Sequence, residues 1–174
     1  MESYVLPVVA LVISLMSLGF SVFSWRESHR PIVTARLQVR AAGNVGTALE
    51  LIVENTGNRP AVNVRLTADP ENLEKALLAP KDDCFREHVE YCFSEESFIP
   101  CLAPGQVVST GFGRFLNDDL SDESSTWAYK SVLDIRINYT GIKKKRWPPI
   151  SYTNVVPIWL VNNTGFALSY WGKK

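Results

Sequence analysis

The alternation of hydrophobic and polar positions divides the chain into two parts. Residues 4–25 contain no charged side chain, and a helix of this length spans about 33 Å, enough to cross the hydrocarbon core of a bilayer. From residue 31 onward, apolar and polar residues alternate in short stretches, as in half-buried strands. The pattern predicts a transmembrane anchor at 1–25, a basic juxtamembrane linker at 26–30 and a β-domain at 31–174.

Seven stretches of this β-domain favour strands. Apolar and polar residues alternate regularly at 33–40, 49–54, 62–67 and 133–140. They alternate less regularly at 97–102, 106–114 and 150–160. Short strands at this spacing predict an immunoglobulin-like antiparallel β-sandwich, and the fold class is therefore mainly β. A short helical insertion is expected at 70–78, with Asp69 as its N-cap and Pro70 at its first helical position.

The C-terminal segment 157–174 is unusually rich in aromatic residues. We expect Trp159 to complete the core of the sandwich. For Phe166, Tyr170 and Trp171, core packing and an exposed partner-binding or interfacial patch are both open.

The flanks of the apolar segment predict a retained anchor and its orientation. Residues 1–3 carry no Lys or Arg, and no Ala-x-Ala site follows the segment, unlike a cleaved signal peptide. Basic residues follow on the C-terminal side, at Arg26, Arg30, Arg36 and Arg40. The positive-inside bias therefore predicts a single-pass protein of the cell (inner) membrane, with its N-terminus outside and its C-terminal domain cytoplasmic.

Small residues recur along one side of the predicted helix. Steps of four, three, four and three residues separate Ala10, Ser14, Ser17, Ser21 and Ser24. This period places them on one stripe, where small side chains let two helices approach and hydroxyls bond across the interface. The stripe predicts a homo-oligomer associated through its transmembrane helices. The alternative is that the serines bond back to carbonyls of their own helix.

Part of the β-domain carries a resemblance to a known family. The segment LELIVENTGNRPAVNVRL at 49–66, followed by LAPG at 102–105 before a strand, resembles bacterial immunoglobulin-like modules of the CARDB (cell-adhesion-related) type. It also resembles short prokaryotic single-pass membrane proteins that carry such a sandwich and have no assigned activity. The resemblance implies a fold and assigns no catalytic residue. CARDB modules are usually extracytoplasmic, which conflicts with the charge asymmetry, and we follow the charge asymmetry.

The cysteines and one histidine are candidate metal ligands. Cys84, His88, Cys92 and Cys101 are residue types that bind zinc. Four-residue steps spread the first three along a helix, and no Cys-x2-Cys knuckle is present. Outside the cytosol, a disulfide of Cys92 with Cys84 or Cys101 is the alternative. For a cytoplasmic domain we expect reduced, partly buried thiols in a loop insertion, with no metal and no cofactor.

A run of cations is the strongest candidate for a binding site. Lys143, Lys144, Lys145 and Arg146 precede Trp147 between two predicted strands. Such a hairpin tip suits anionic lipid headgroups or a small anionic ligand, and each cation contributes about 1 kcal/mol near a charged leaflet. Contact with nucleic-acid phosphates and a simple solvated loop are the alternatives. Because 18 basic residues balance 18 acidic ones, nucleic acid is not an expected partner.

The sequence contains no recognisable catalytic motif. It lacks a Gly-x-Ser-x-Gly elbow, a P-loop, a dinucleotide-binding fingerprint and a His-Glu-x-x-His motif. We therefore predict a non-enzymatic, membrane-anchored β-sandwich that binds another protein or self-assembles. Two alternatives stay open. One is a ligand-triggered membrane effector that oligomerises through its helix, for example in a defence system, and the other is an extracytoplasmic adhesion or envelope module.

Overall fold

The computed structural model describes residues 4–43, 46–116, 125–128, 130–142 and 150–160, with only the backbone of Val5. Within these ranges the chain forms, in order, α1 (Val5–Ser28), β1 (Val33–Ala42), β2 (Gly46–Asn55), β3 (Ala61–Ala68), α2 (Pro70–Ala76), α3 (Cys84–Cys92), β4 (Ile99–Leu102), β5 (Val107–Leu116), β6 (Ser131–Gly141) and β7 (Ser151–Leu160). All seven predicted strands are present. The prediction of a mainly β fold after an N-terminal apolar helix is confirmed.

The strands form two antiparallel sheets. One has the order β1-β2-β5 and the other β4-β3-β6-β7. In the constant-type immunoglobulin arrangement the fourth strand joins the sheet of the first, second and fifth. Here β4 instead pairs with β3, through Ala61↔Leu102 and Val64↔Ile99. The strand alternation predicted the two-sheet architecture, and the sheet to which the short β4 belongs is seen only in the structure.

The core lies between the two sheets and follows the predicted alternation. On β6, Leu133, Ile135 and Ile137 are fully buried, and their polar neighbours face outward. Phe112 stacks on Trp127 with ring centroids 4.7 Å apart, and both rings are fully buried. Burial of each such side chain stabilises the fold by about 1.5–3 kcal/mol.

The predicted helix after β3 is confirmed, with its cap. Asp69 accepts hydrogen bonds from the backbone N–H groups of Glu71 (2.9 Å) and Asn72 (3.2 Å), and Pro70 occupies the first turn. The helix ends at Ala76, two residues before the predicted end. Leu77 is extended there and forms an isolated bridge with Trp127.

A second short helix, α3, lies where the sequence predicts a loop insertion, and that prediction is wrong. Asp83 caps the helix by accepting a hydrogen bond from Phe85 N at 2.7 Å. Its buried face consists of Arg86, Val89 and Cys92. An arginine on this face conceals the apolar periodicity that normally marks a helix.

Ion pairs make the burial of Arg86 possible. Its guanidinium donates to the carboxylates of Glu74 on α2 and Glu90 on α3, and to the carbonyl of Ala79. Burial alone would lower the pKa of Arg86, but the hydrogen bonds and charges of the two glutamates outweigh it and raise the pKa. The arginine therefore stays charged and ties α2 to α3.

Trp159 does not pack in the core, contrary to the sequence-based expectation. It is 62% exposed on the outer face of β7, whereas its neighbours Ile158 and Leu160 are buried. Because successive side chains of a strand point to opposite faces, placing these two inward turns the tryptophan outward. The remainder of the tail, 161–174, lies outside the described residues.

Helix α1 is longer than the predicted anchor. The described part of the chain contains one helix long and apolar enough to cross a membrane, Leu6–Ser28, and none of the apolar window of this helix is buried by the other described residues. It runs past Trp25 through most of the predicted linker 26–30. Only residues 29–32 separate the helix from β1.

Candidate functional site

The connection between α1 and the sandwich is held by the turn that follows β2. Asn55 is fully buried, and its side-chain oxygen accepts hydrogen bonds from Ile32 N (3.2 Å) and Gly57 N (3.0 Å). Its amide nitrogen donates to the carbonyls of Arg59 (2.7 Å) and Leu102 (2.9 Å). One side chain therefore joins the connecting segment, the turn and strand β4 of the other sheet.

Gly57 allows the turn to approach the connecting segment closely. A Cβ atom at this position would overlap the backbone of Arg30 and Ile32, and it would lie 2.8 Å from the carbonyl carbon of Pro31. The adjacent Thr56 N donates to Ile32 O at 2.8 Å. The backbones are therefore in direct contact, and only glycine fits between them.

The same turn touches the last turns of α1. Asn58 donates its side-chain amide to Ser28 O at 3.1 Å, and the Arg59 guanidinium lies 5.1 Å from the centre of the Trp25 ring. His29 stacks on the same indole with ring centroids 4.9 Å apart. The end of the apolar helix is thus in contact with the domain itself.

The four-stranded sheet holds the connecting segment from its other side. Tyr139 donates its hydroxyl to Pro31 O at 3.4 Å, and Asn154 donates to Val33 O at 3.1 Å. We call Asn55, Gly57, Asn58, Arg59 and Tyr139 the junction clamp. Because both sheets contribute to it, the clamp fixes the direction in which the helix leaves the sandwich.

The predicted small-residue stripe lies on the exposed surface of α1. At 100° per residue, Ala10, Ser14, Ser17, Ser21 and Ser24 fall within an arc of about 80°, and all five are exposed. Ser14 donates its hydroxyl to Ala10 O at 2.9 Å, so the alternative of self-bonding holds for this serine. Ser28 follows Ser24 by four residues and extends the stripe to the clamp.

The four candidate zinc ligands do not converge on one site. His88 bonds Thr110 Oγ1 on β5 at 2.9 Å, and Cys92 Sγ donates to His88 O at 3.2 Å. Cys84 and Cys101 are exposed, and all three cysteines are free thiols. Within the described ranges, no group of three or more His, Cys, Asp or Glu side chains is placed to hold a metal ion.

The predicted anionic-contact residues Lys143, Lys144, Lys145, Arg146 and Trp147 lie outside the described residues. The residues that bracket this segment are described. Gly141 N donates to Ile150 O at 3.1 Å, and Gly141 pairs with Ala61 at the start of β3. These flanking residues lie at the same end of the sandwich as the junction clamp.

A small apolar cavity of about 180 Å³ lies between the sheets beside α3. Its lining includes Leu51, Val53, Val64, Leu66, Tyr91 and Ile99. A cavity of roughly 150 Å³ holds a benzene molecule. The mainly apolar lining therefore disfavours this cavity as the site of a small anionic ligand.

The role of the turn at 55–58 was not among the sequence-based predictions. Asn55 and Gly57 carry turn propensity, and this propensity is the only local signal. Their partners Ile32 and Leu102 are far away in sequence. Ser28 was missed because the apolar run ends at Trp25, although the four-residue step to Ser28 was a signal that the helix continues.

Comparison with known proteins places the chain in a family. No curated protein and no solved structure matches the chain. A family model described as "Domain of unknown function (DUF8453)" matches residues 3–158, which include both the apolar helix and most of β7. The resemblance to CARDB-type modules stays a prediction. Because the matched region covers most of the sequence, the chain belongs to the DUF8453 family.

Proposed function

We propose that the protein is a non-enzymatic single-pass membrane protein whose β-sandwich acts as an interaction and assembly module at the membrane surface. The observation that carries this proposal is the junction clamp. It joins Trp25 and Ser28 of the apolar helix directly to the turn after β2. The sandwich is therefore in direct contact with the helix that anchors it.

Three features support a retained anchor over a cleaved signal peptide. The apolar surface of α1 has no partner in the described chain, and such a surface needs lipid or another helix. Cleavage after Trp25 would also remove the indole on which Arg59 and His29 lie. The family match starts before the helix and continues through the sheets, so one family model spans both parts.

Helix association is the proposed mode of assembly. The stripe from Ala10 to Ser28 presents only small side chains, which permit close packing of two helices. Each interhelical hydrogen bond contributes about 0.6 kcal/mol, so packing along the whole stripe has to supply most of the stability. Two tethered sandwiches then reach a high effective concentration.

A triple substitution tests this assembly. In Ser14→Leu/Ser17→Leu/Ser21→Leu the close approach is blocked, and we expect a loss of dimers or higher oligomers in detergent micelles, measured by light scattering. The matched control is Val8→Leu/Val12→Leu/Gly19→Leu, about 180° away on the helix, which should leave the oligomer unchanged. An unchanged oligomer in the serine triple variant contradicts the proposal.

The sidedness of the domain belongs to the same proposal. The arginines after Trp25 support a cytoplasmic domain in the inner membrane. Cys84 and Cys101 are exposed and serve as natural labelling sites, whereas Cys92 is buried. A membrane-impermeant thiol reagent should label them only in lysed cells. Ready labelling on intact cells would instead favour an extracytoplasmic adhesion or envelope module.

A ligand-triggered membrane effector is the second candidate, and the clamp favours it. Any rearrangement of the turn at 55–59 reaches Ser28 through one hydrogen bond, with no flexible linker to absorb it. Replacing Lys143, Lys144, Lys145 and Arg146 by Gln should abolish ligand-dependent toxicity in cells if this cluster senses an anionic ligand. Undiminished toxicity of that variant would count against the effector candidate.

A further inference from the structure

The end of the sandwich around the junction clamp exposes large apolar side chains. Ile32, Ile142 and Ile150 are 37%, 58% and 48% exposed. They lie at one corner, because Tyr139, three residues before Ile142, bonds to Pro31 next to Ile32. Ile150 is bonded to Gly141, next to Ile142. We call these three isoleucines the apolar rim.

The apolar rim lies at the level of the last turns of the helix. Arg59 covers Trp25, and Asn58 bonds to Ser28 O. A tryptophan that ends a membrane-spanning helix sits among the lipid headgroups. Residues in contact with this tryptophan therefore sit at headgroup depth, which brings the adjoining end of the sandwich to the membrane surface.

The charge of this end matches an anionic leaflet. It is built from residues 26–32, 55–61, 102–106, 139–142 and 150–152, which contain three arginines (Arg26, Arg30 and Arg59) against one acidic residue, Glu27. Glu27 forms an ion pair with Arg30 at 3.1 Å. Exposed isoleucines beside arginines have the composition of interfacial membrane-binding surfaces.

We propose that the apolar rim, together with Arg59, docks the sandwich onto the anionic leaflet of the membrane that holds its own helix. This inference rests on the proposed membrane anchoring and adds a second, surface contact to it. Docking inserts Ile32, Ile142 and Ile150 at the boundary of headgroups and acyl chains. It thereby holds the sandwich in one orientation on the bilayer.

The test uses the full-length protein in vesicles that contain anionic and brominated lipids. A fluorophore is attached at Ile150→Cys, or for comparison at Val132→Cys, which is exposed but lies at the opposite end of β6. Both carry Cys84→Ser and Cys101→Ser, while Cys92 is buried. We expect strong quenching by brominated lipid at position 150 and little at position 132.

Substitutions in the apolar rim should weaken this quenching. With the label at position 150, Ile32→Ser/Ile142→Ser should reduce it, whereas Val132→Ser/Val155→Ser, exposed elsewhere on the sandwich, should not. Arg59→Gln should lower the ratio of docked to undocked protein about fivefold, because one cation near a charged leaflet contributes about 1 kcal/mol. Arg59→Lys should restore this ratio. Neutral lipid and high salt should also weaken docking.

Two outcomes separate the docking inference from the membrane anchoring on which it depends. If alkaline carbonate releases the protein from the vesicles, the anchoring itself is refuted. If the protein stays inserted but quenching at positions 150 and 132 is equal, only the docking inference is overturned. A label at position 150 that is shielded from water without quenching by lipid also overturns it, in favour of contact with a second copy.

Discussion

Cys92 is the buried thiol of the three, and its burial affects its acidity. Burial raises the pKa of the Cys92 thiol, and the hydrogen bond with Thr110 opposes this only in part. The folded state therefore holds the proton more tightly than the unfolded state, whose thiol has a pKa of about 8.5. The contribution of this buried thiol to the free energy of unfolding is fully present below about pH 8.5. It is lost as the pH rises through the pKa of the folded state.

The raised pKa of Cys92 predicts a measurable dependence of stability on pH. The free energy of unfolding, obtained by urea denaturation in detergent, should fall more steeply above about pH 8.5 in the wild type than in Cys92→Ala. Cys84→Ala is the control, since Cys84 is exposed, and its slope should equal that of the wild type. Equal slopes in the wild type and Cys92→Ala would show that burial of this thiol does not bear on stability.

Asn55 is the residue on which the junction depends most. It is fully buried and makes four hydrogen bonds that involve both sheets. Asn55→Ala leaves buried backbone groups without partners, and we expect a loss of about 2–5 kcal/mol in the free energy of unfolding. Asn58→Ala is the matched control, because Asn58 is exposed and makes one bond across the junction. Similar denaturation midpoints for both variants would contradict the prediction.

At the scale of elements, the sequence predicted those strands and helices that are marked by a residue pattern within their own segment. The strands were predictable because each keeps its own alternation, and α2 because Asp69 and Pro70 mark its start. Helix α3 was not predictable, since Arg86 occupies its buried face and stays charged there by pairing with Glu74, twelve residues earlier. The clamp was hidden for the same reason, because Tyr139 meets Pro31 across 108 residues. Contacts at such separation leave no local periodicity.

The turn between β2 and β3 is the element that couples helix and domain, and Gly57 is its point of closest approach. In Gly57→Ala the new Cβ would collide with the backbone of Arg30 and Ile32. We expect the connecting segment to separate from the turn. Hydrogen exchange should then accelerate at Ile32 and Thr56, whose amides bond across the junction.

Another glycine of the sandwich provides the control for this substitution. Gly111 lies on β5, and a Cβ there would have no heavy atom within 4 Å. Gly111→Ala should leave exchange at Ile32 and Thr56 at the wild-type rate. If Gly57→Ala also leaves these two amides protected, the clamp is not the contact that holds the helix to the domain.

At the scale of the whole molecule, pairing of two helices along the stripe should determine how their two sandwiches are arranged, because the clamp connects each helix rigidly to its sandwich. The stripe ends at Ser28, and the carbonyl of Ser28 is held by Asn58 of the clamp. Because Pro31 and Ile32 are held by residues of both sheets, two helices that pair along the stripe should hold their sandwiches in one relative arrangement. A flexible linker would instead leave the sandwiches free to rotate.

Cross-linking between exposed thiols distinguishes these two situations. With Cys101 as the only exposed thiol, in a Cys84→Ser background, rigid coupling predicts that one narrow range of cross-linker lengths joins two copies in vesicles. The serine triple variant should lose the cross-link because the helices no longer pair. Gly57→Ala should keep the oligomer but broaden the range of effective lengths, since the clamp alone is released. If Gly57→Ala retains the narrow range while its junction amides exchange quickly, the arrangement of the sandwiches is set by contacts between the sandwiches and not by the anchor.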